Sequence, residues 1–110
     1  MNIAAATDKQ LASIFRRGLQ DMELDDDETI RFFAFMGQFL NTWSVLFDLH
    51  AEGHLPDTQW TVIKKDIISM LTPPGGRSFW ERFGRKGVHK EFEIAVDKIL
   101  ASDETSYEFV

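Results

Sequence analysis

An uncharged run of 16 residues, from Phe32 to Phe47, constrains the fold of this chain more than any other feature. Its apolar side chains recur at the three- and four-residue spacing of an α-helix. A membrane-spanning helix needs about 20 apolar residues, whereas this run is shorter and contains Gln38, Asn41 and Thr42. The run therefore predicts a buried helix, which we place at residues 26–52.

Two apolar stripes run along this predicted helix. Because together they cover more than half of its circumference, the helix is either central in the fold or shared with a partner. We expect Phe35 and Phe39 to lie on the surface of a homodimer that forms through this helix. The first stripe consists of Phe33, Met36, Leu40, Trp43 and Phe47, and the second of Phe32, Phe35, Phe39, Leu46 and Leu49.

Helix-end signals divide the rest of the chain into further helices. Thr7 to Gln10 matches a capping box and predicts a first helix over 7–22. The six acidic residues between Asp21 and Glu28 predict the start of the second helix, because carboxylates cap free amides and face the positive end of the helix dipole. Gly53 suits the position just past its end. Later helices are predicted at 56–71, 77–84 and 88–101, with a rigid turn at Pro73–Gly76.

These elements predict an all-α bundle of four to five helices with a long central second helix. Gly18 lies within the apolar stripe of the first helix, where glycine costs about 1 kcal/mol relative to alanine, and this indicates a close crossing with another helix. Among the 110 residues we expect a disordered N-terminus at 1–6, one helical domain at 7–101 and an acidic tail at 102–110.

The composition excludes several classes of protein. The chain has no cysteine, so a disulfide framework, a thiolate nucleophile and a thiolate metal site are all excluded. A net charge of -6 disfavours nucleic acid as a partner, because phosphate neutralisation requires clustered lysine and arginine. The N-terminus has no signal-peptide pattern, and we expect a cytoplasmic protein.

Histidines and acids offer the only candidates for a metal site. His50 and His54 lie four residues apart and could share a zinc ion, with His89 or a distant acid as a third ligand. We favour the alternative, a cation at a helix C-terminus, because Gly53 is expected to end the helix between them. The Asp25–Glu28 run lacks the alternating acids and turn glycine of a calcium loop, so we interpret it as helix capping. No cofactor is expected.

A basic stretch between residues 77 and 90 is the second candidate surface. Its net charge is +4 within a chain of net charge -6. An acidic protein, a lipid surface or a nucleic acid could bind it. We favour a solvated face whose cations pair with the Asp21–Glu28 run, since charge runs usually mark such faces. Its cations are Arg77, Arg82, Arg85, Lys86 and Lys90.

Several short segments carry a family resemblance: Ile14–Leu19, Arg31-Phe32, Glu52–Leu55 with Trp60, and Pro74–Arg77 with Phe79, Trp80 and Phe92. They resemble a group of uncharacterised bacterial proteins in which transmembrane helices precede a helical domain of unknown function. The resemblance spans about residues 11–100 and consists mostly of core aromatics and turn glycines. It implies a helical domain that works beside the inner face of a membrane, and it transfers no catalytic residue. This chain departs from the group in having no membrane segment before residue 7.

The sequence thus supports three hypotheses of function. We expect a non-enzymatic protein-interaction module, the soluble part of a membrane-anchored bacterial protein, because no catalytic motif is visible and the second helix is so apolar. The alternative is a small-molecule sensor or carrier whose pocket between helices is lined by Trp43, Trp60 and Trp80. The third is a metal-dependent enzyme that uses His50 and His54.

Overall fold

A computed structural model describes the backbone of residues 3–103 and the side chains of residues 9–102. Within these residues the chain forms five α-helices, one short 3₁₀ segment and no strand, which confirms the predicted all-α bundle. The long second helix, α2, has 26 residues and is also confirmed. The elements are α1 (Ile3–Leu19), α2 (Asp26–Ala51), α3 (Asp57–Leu71), α4 (Pro74–Arg82), the 3₁₀ segment (Gly84–Gly87) and α5 (Lys90–Asp103).

Local signals define both ends of α2. The Asp25 carboxylate accepts from the Glu28 N–H at 2.8 Å, and the Glu28 carboxylate accepts from the Asp25 N–H at 3.1 Å. This capping box satisfies amides at the start of the helix, as predicted from the acidic run. At the other end Gly53 has φ +81°, and the His54 N–H donates to the Leu49 carbonyl at 2.8 Å. The left-handed glycine therefore ends α2 in the predicted place.

The predicted boundaries of α1 are wrong at both ends. The helix begins at Ile3, because the alanines before Thr7 are strong helix formers and continue the helix upstream of the expected cap. It ends at Leu19, and Asp21 follows with φ 58°. The Met22 N–H then donates to the Arg17 carbonyl at 2.8 Å, as in a helix end closed by a left-handed residue. The Thr7 side chain, residues 1–2 and residues 104–110 of the predicted tail lie outside the described part.

The predicted rigid turn at Pro73–Gly76 is also wrong, because α4 begins at Pro74. Proline suits the first position of a helix, where its missing N–H costs nothing. Gly75 and Gly76 are buried, and a Cβ at Gly75 would overlap the carbonyl oxygen of Gly18. The predicted close crossing at Gly18 therefore exists, and it involves the backbone of α4 as well as the Phe32 ring of α2.

The core lies between one face of α2 and the helices around it. Phe32, Met36, Leu40 and Trp43 are buried along α2, whereas Phe33 and Phe39 are 38% and 40% exposed. The buried face thus combines members of both predicted stripes. Helices α3 and α5 pack against each other, and α3 also packs on α2 and α4. The other fully buried large side chains are Ile14, Ile67, Leu71, Trp80, Phe92 and Val96.

Candidate functional site

An apolar groove opens between α1 and α2, and we call it the phenylalanine groove. The Phe15 ring centroid lies 6.4 Å from that of Phe35 and 6.0 Å from that of Phe39. The Phe39 ring in turn stacks on Trp43 at 5.9 Å, although 40% of Phe39 is exposed. The groove has a volume of about 270 Å³, and its lining is wholly apolar: Leu11, Ala12, Phe15, Phe35 and Phe39.

Beside this groove, a row of uncharged side chains continues along the surface of α2. Phe35, Phe39, Thr42, Leu46 and Leu49 follow one another at alternating intervals of four and three residues, the spacing by which one helix presents a seam to another. We call these five residues the second seam of α2. Thr42 is exposed and Leu46 is half-buried. No charged residue interrupts the seam between Phe35 and Phe47.

An ion pair fixes α1 against the start of α2, at one end of the phenylalanine groove. The Arg17 guanidinium donates to both carboxylate oxygens of Glu28, with the Nη1–Oε1 distance at 3.2 Å. This hydrogen bond and the bond from the Asp25 N–H lower the pKa of Glu28 to about 2. Glu28 of the acidic run is thus held by Arg17 of α1 and not by a cation of the basic stretch.

The basic stretch is in large part neutralised by acids of α4 and α5. Arg85 Nη1 lies 2.7 Å from Asp97 Oδ2 and 3.2 Å from Glu93 Oε2, and its guanidinium stands 5.3 Å from the Trp80 ring centroid. Arg77 Nη1 lies 3.9 Å from Glu81 Oε1. Lys90 Nζ lies 4.0 Å from Glu93 Oε1.

Asp97 is the centre of this network on α5. It accepts hydrogen bonds from Arg85 and, at 2.9 Å, from the Trp80 indole. Burial raises the pKa of the Asp97 carboxyl, but the two hydrogen bonds and the charges of Arg85 and Arg77 together leave the pKa below its ordinary value. Only Arg82 and Lys86 of the stretch form no ion pair or hydrogen bond with the described residues. Most of the predicted +4 surface is therefore compensated within the fold.

The histidines make separate contacts rather than one site. His50 Nε2 lies 2.8 Å from Asp57 Oδ1, and its ring stacks on Trp60 at 5.4 Å. His54 is exposed beyond Gly53, which ends α2 between the two. His89 lies 3.0 Å from Asp48 and 3.1 Å from Glu91. Over the described part of the chain, no three histidines or acids come close enough to hold a metal ion.

The three tryptophans are core residues. Trp43, Trp60 and Trp80 are 3%, 8% and 0% exposed. Trp60 packs against Phe47 at 5.8 Å between ring centroids, and the Trp80 indole donates to Asp97. The sensor hypothesis placed a ligand between these rings. None of them lines the surface pockets described for this fold.

A second groove lies between α3 and α5, and the sequence analysis missed it. We call it the lysine groove: Lys64 and Lys65 come from α3 and Lys98 from α5. Its volume is about 610 Å³, and its lining contains no acidic residue. Helical spacing places Lys64 one turn from Ile68, but nothing local to either helix shows that Lys98 will face them. The remaining lining residues are Thr61, Ile68, Ile99 and Ser102.

No protein-family model, curated protein or solved structure matches the chain. Among the helices in the described residues, none is long and apolar enough to cross a membrane. The candidate sites are therefore defined by two grooves on a helical bundle, one apolar and one basic.

Proposed function

We propose that this chain is a helical protein-interaction module that forms a homodimer through the second seam of α2. The observation that carries the proposal is Phe39, a large aromatic side chain that is 40% exposed on the wall of a wholly apolar groove. Contiguous exposed apolar patches often mark the sites at which proteins associate. Aromatic side chains that fill grooves supply much of the energy at such interfaces.

Electrostatics favour this face for contact between two copies. Each copy carries a net charge of -6, so association through most of the surface brings like charges together. The second seam carries no charge from Phe35 to Leu46. In a twofold dimer the same patch meets itself, and an uncharged patch does so without repulsion. The uncharged run that defines α2 thus supports a second copy as the occupant.

The resemblance to bacterial proteins with transmembrane helices supports a location for this module. A module of this kind beside the inner face of a membrane would pair the soluble parts of two anchored chains. An anchor raises the effective concentration of both copies, so that a weak interface suffices for pairing. The dimer itself does not depend on an anchor and can be measured with the chain as it stands.

The test places a charge at the centre of the seam. We expect Thr42→Glu and Phe39→Glu each to weaken the dimer more than tenfold in sedimentation equilibrium, because a buried unpaired carboxylate costs several kcal/mol. Thr42 is exposed and lacks the ring contacts of Phe39, so Thr42→Glu should leave the fold intact by circular dichroism. The matched control is Val62→Glu on α3, where the side chain is 58% exposed outside the seam.

Two results would contradict the proposal. One is a wild-type chain that remains monomeric at every concentration reached by sedimentation. The other is a dimer that Val62→Glu weakens as much as Thr42→Glu does, because the interface would then lie elsewhere. If Phe39→Glu unfolds the chain, Thr42→Glu still decides the question.

A further inference from the structure

We infer that the lysine groove binds an acidic, partly apolar segment of another protein. Three lysines from two helices line it, together with Ile68 and Ile99. Ile68 is 7% exposed, and Ile99 is half-buried. The groove therefore offers cations at its rim and apolar surface beneath them, a combination that fits a peptide bearing carboxylates beside apolar side chains.

The fold leaves these three charges uncompensated. Lys64, Lys65 and Lys98 form no ion pair or hydrogen bond with the described residues. Asp57 lies two helical turns before Lys64, and its carboxylate lies 2.8 Å from His50 Nε2. The helix dipole accounts for none of them, because Lys98 lies before the last turn of α5 and Lys64 and Lys65 lie in the middle of α3. Among the described residues no acid pairs with these lysines, and an acidic segment of a partner would complement all three.

The hydrogen-bonding groups favour carboxylates over a single phosphate. The Thr61 hydroxyl donates to the Asp57 carbonyl at 2.9 Å, and the Ser102 hydroxyl donates to the Ile99 carbonyl at 3.2 Å. Their protons are thus engaged within the helices. The lysines remain as the donors, and lysine acts as a flexible point charge rather than a fork matched to phosphate. Spaced point charges suit an extended acidic segment.

Long-range electrostatics favour a short acidic segment over a larger polyanion such as a membrane or a nucleic acid. A membrane or a nucleic acid would face the whole chain, whose net charge is -6, and would be repelled. A short segment in the groove experiences chiefly the local field, because the Debye length is about 8 Å at physiological ionic strength. The concave shape of the groove also fits a chain segment better than a flat bilayer.

Fluorescence anisotropy can test this inference with a labelled peptide that alternates glutamate and leucine. We expect the double variant Lys64→Glu/Lys98→Glu to bind the peptide at least tenfold more weakly than the wild type. The matched control is Arg82→Glu/Lys86→Glu, which changes the net charge equally at two exposed residues outside the groove; it should change binding less than twofold. Lys98, Arg82 and Lys86 are exposed and Lys64 is half-buried, so circular dichroism should show the same helix content for each variant.

Three outcomes would overturn the inference. Equal binding by the double variant and the wild type would show that the groove is not the site. Equal losses in the groove double variant and in Arg82→Glu/Lys86→Glu would show that the effect comes from net charge alone. Lysine-dependent binding to vesicles of phosphatidylcholine and phosphatidylserine, with no binding to the peptide, would make the partner a membrane. The Thr42→Glu variant should bind the peptide normally, so failure of the dimer and failure of this site are distinguishable.

Discussion

The phenylalanine groove and the lysine groove differ in how the fold creates them. The first lies beside one long helix, and its key residues, Phe35 and Phe39, share a face of α2. The second exists only because α5 packs on α3 and brings Lys98 beside Lys64. One is apolar in its entire lining and the other carries three cations. We therefore expect contacts at the first to tolerate salt and contacts at the second to weaken with it.

The two grooves also depend on different helix crossings, and Gly75→Ala separates them. The added Cβ would overlap the carbonyl oxygen of Gly18 and push α1, one wall of the phenylalanine groove, away from α4. Overpacking against backbone costs about 3 kcal/mol, which urea unfolding followed by circular dichroism would measure. The walls of the lysine groove come from α3 and α5, so peptide binding should persist in the folded fraction. The dimer should weaken, because its seam on α2 borders the displaced wall of the phenylalanine groove.

Gly87→Ala is the control for this change, because a Cβ at Gly87 would meet no atom within 4 Å. It should leave the free energy of unfolding nearly unchanged. Equal stability of Gly75→Ala and the wild type would mean that the α1–α4 crossing is not a close backbone contact, and the distinction between the two grooves would lose its structural basis.

The helix ends also differ in how far the sequence predicts them. The bounds of α2 were predictable because Asp25, Glu28 and Gly53 act within one turn of its ends. The start of α4 was not, because Pro74 and Gly75 have the composition of a turn, and only the fold shows that they are helical and that Gly75 packs against Gly18. The sequence thus revealed the ends of α2 and the presence of a close crossing at Gly18, but not that α4 is the helix that packs there.

The candidate sites follow the same division. Phe35 and Phe39 were predicted from the period of one helix, and the structure places both on one groove. For the basic stretch, composition overstated the available charge, because Arg85 pairs with Glu93 and Asp97 across the turn between α4 and α5. Conversely, Lys64 and Lys65 of α3 are not part of a charge cluster in the sequence. Only the packing of α5 against α3 brings a third lysine beside them.

A smaller effect is expected from Gly37→Ala. This substitution tests which side of α2 contacts the second copy in the dimer. A Cβ at Gly37 would meet no atom within 4 Å, so the substitution should raise the free energy of unfolding by about 0.5–1 kcal/mol. Gly37 is two residues before Phe39, roughly 200° around the helix. Sedimentation should therefore find the dimer unchanged, and a weaker dimer would move the interface from the second seam to the opposite flank.

The smallest effect is expected from Glu28→Gln, which tests the ion pair that holds α1 beside the phenylalanine groove. The folded-state pKa of Glu28 is lowered from 4.5 to about 2, so the pair stabilises the fold above about pH 4.5, and this contribution is lost as the pH falls through about 2. Glutamine can still accept from the Asp25 N–H, so the cap persists while the charge is removed. Because the pair is partly exposed, the loss should be small at neutral pH. Urea unfolding across this pH range should show the difference between wild type and variant shrinking toward pH 2, whereas a difference independent of pH would mean that Arg17 does not hold α1 through this charge.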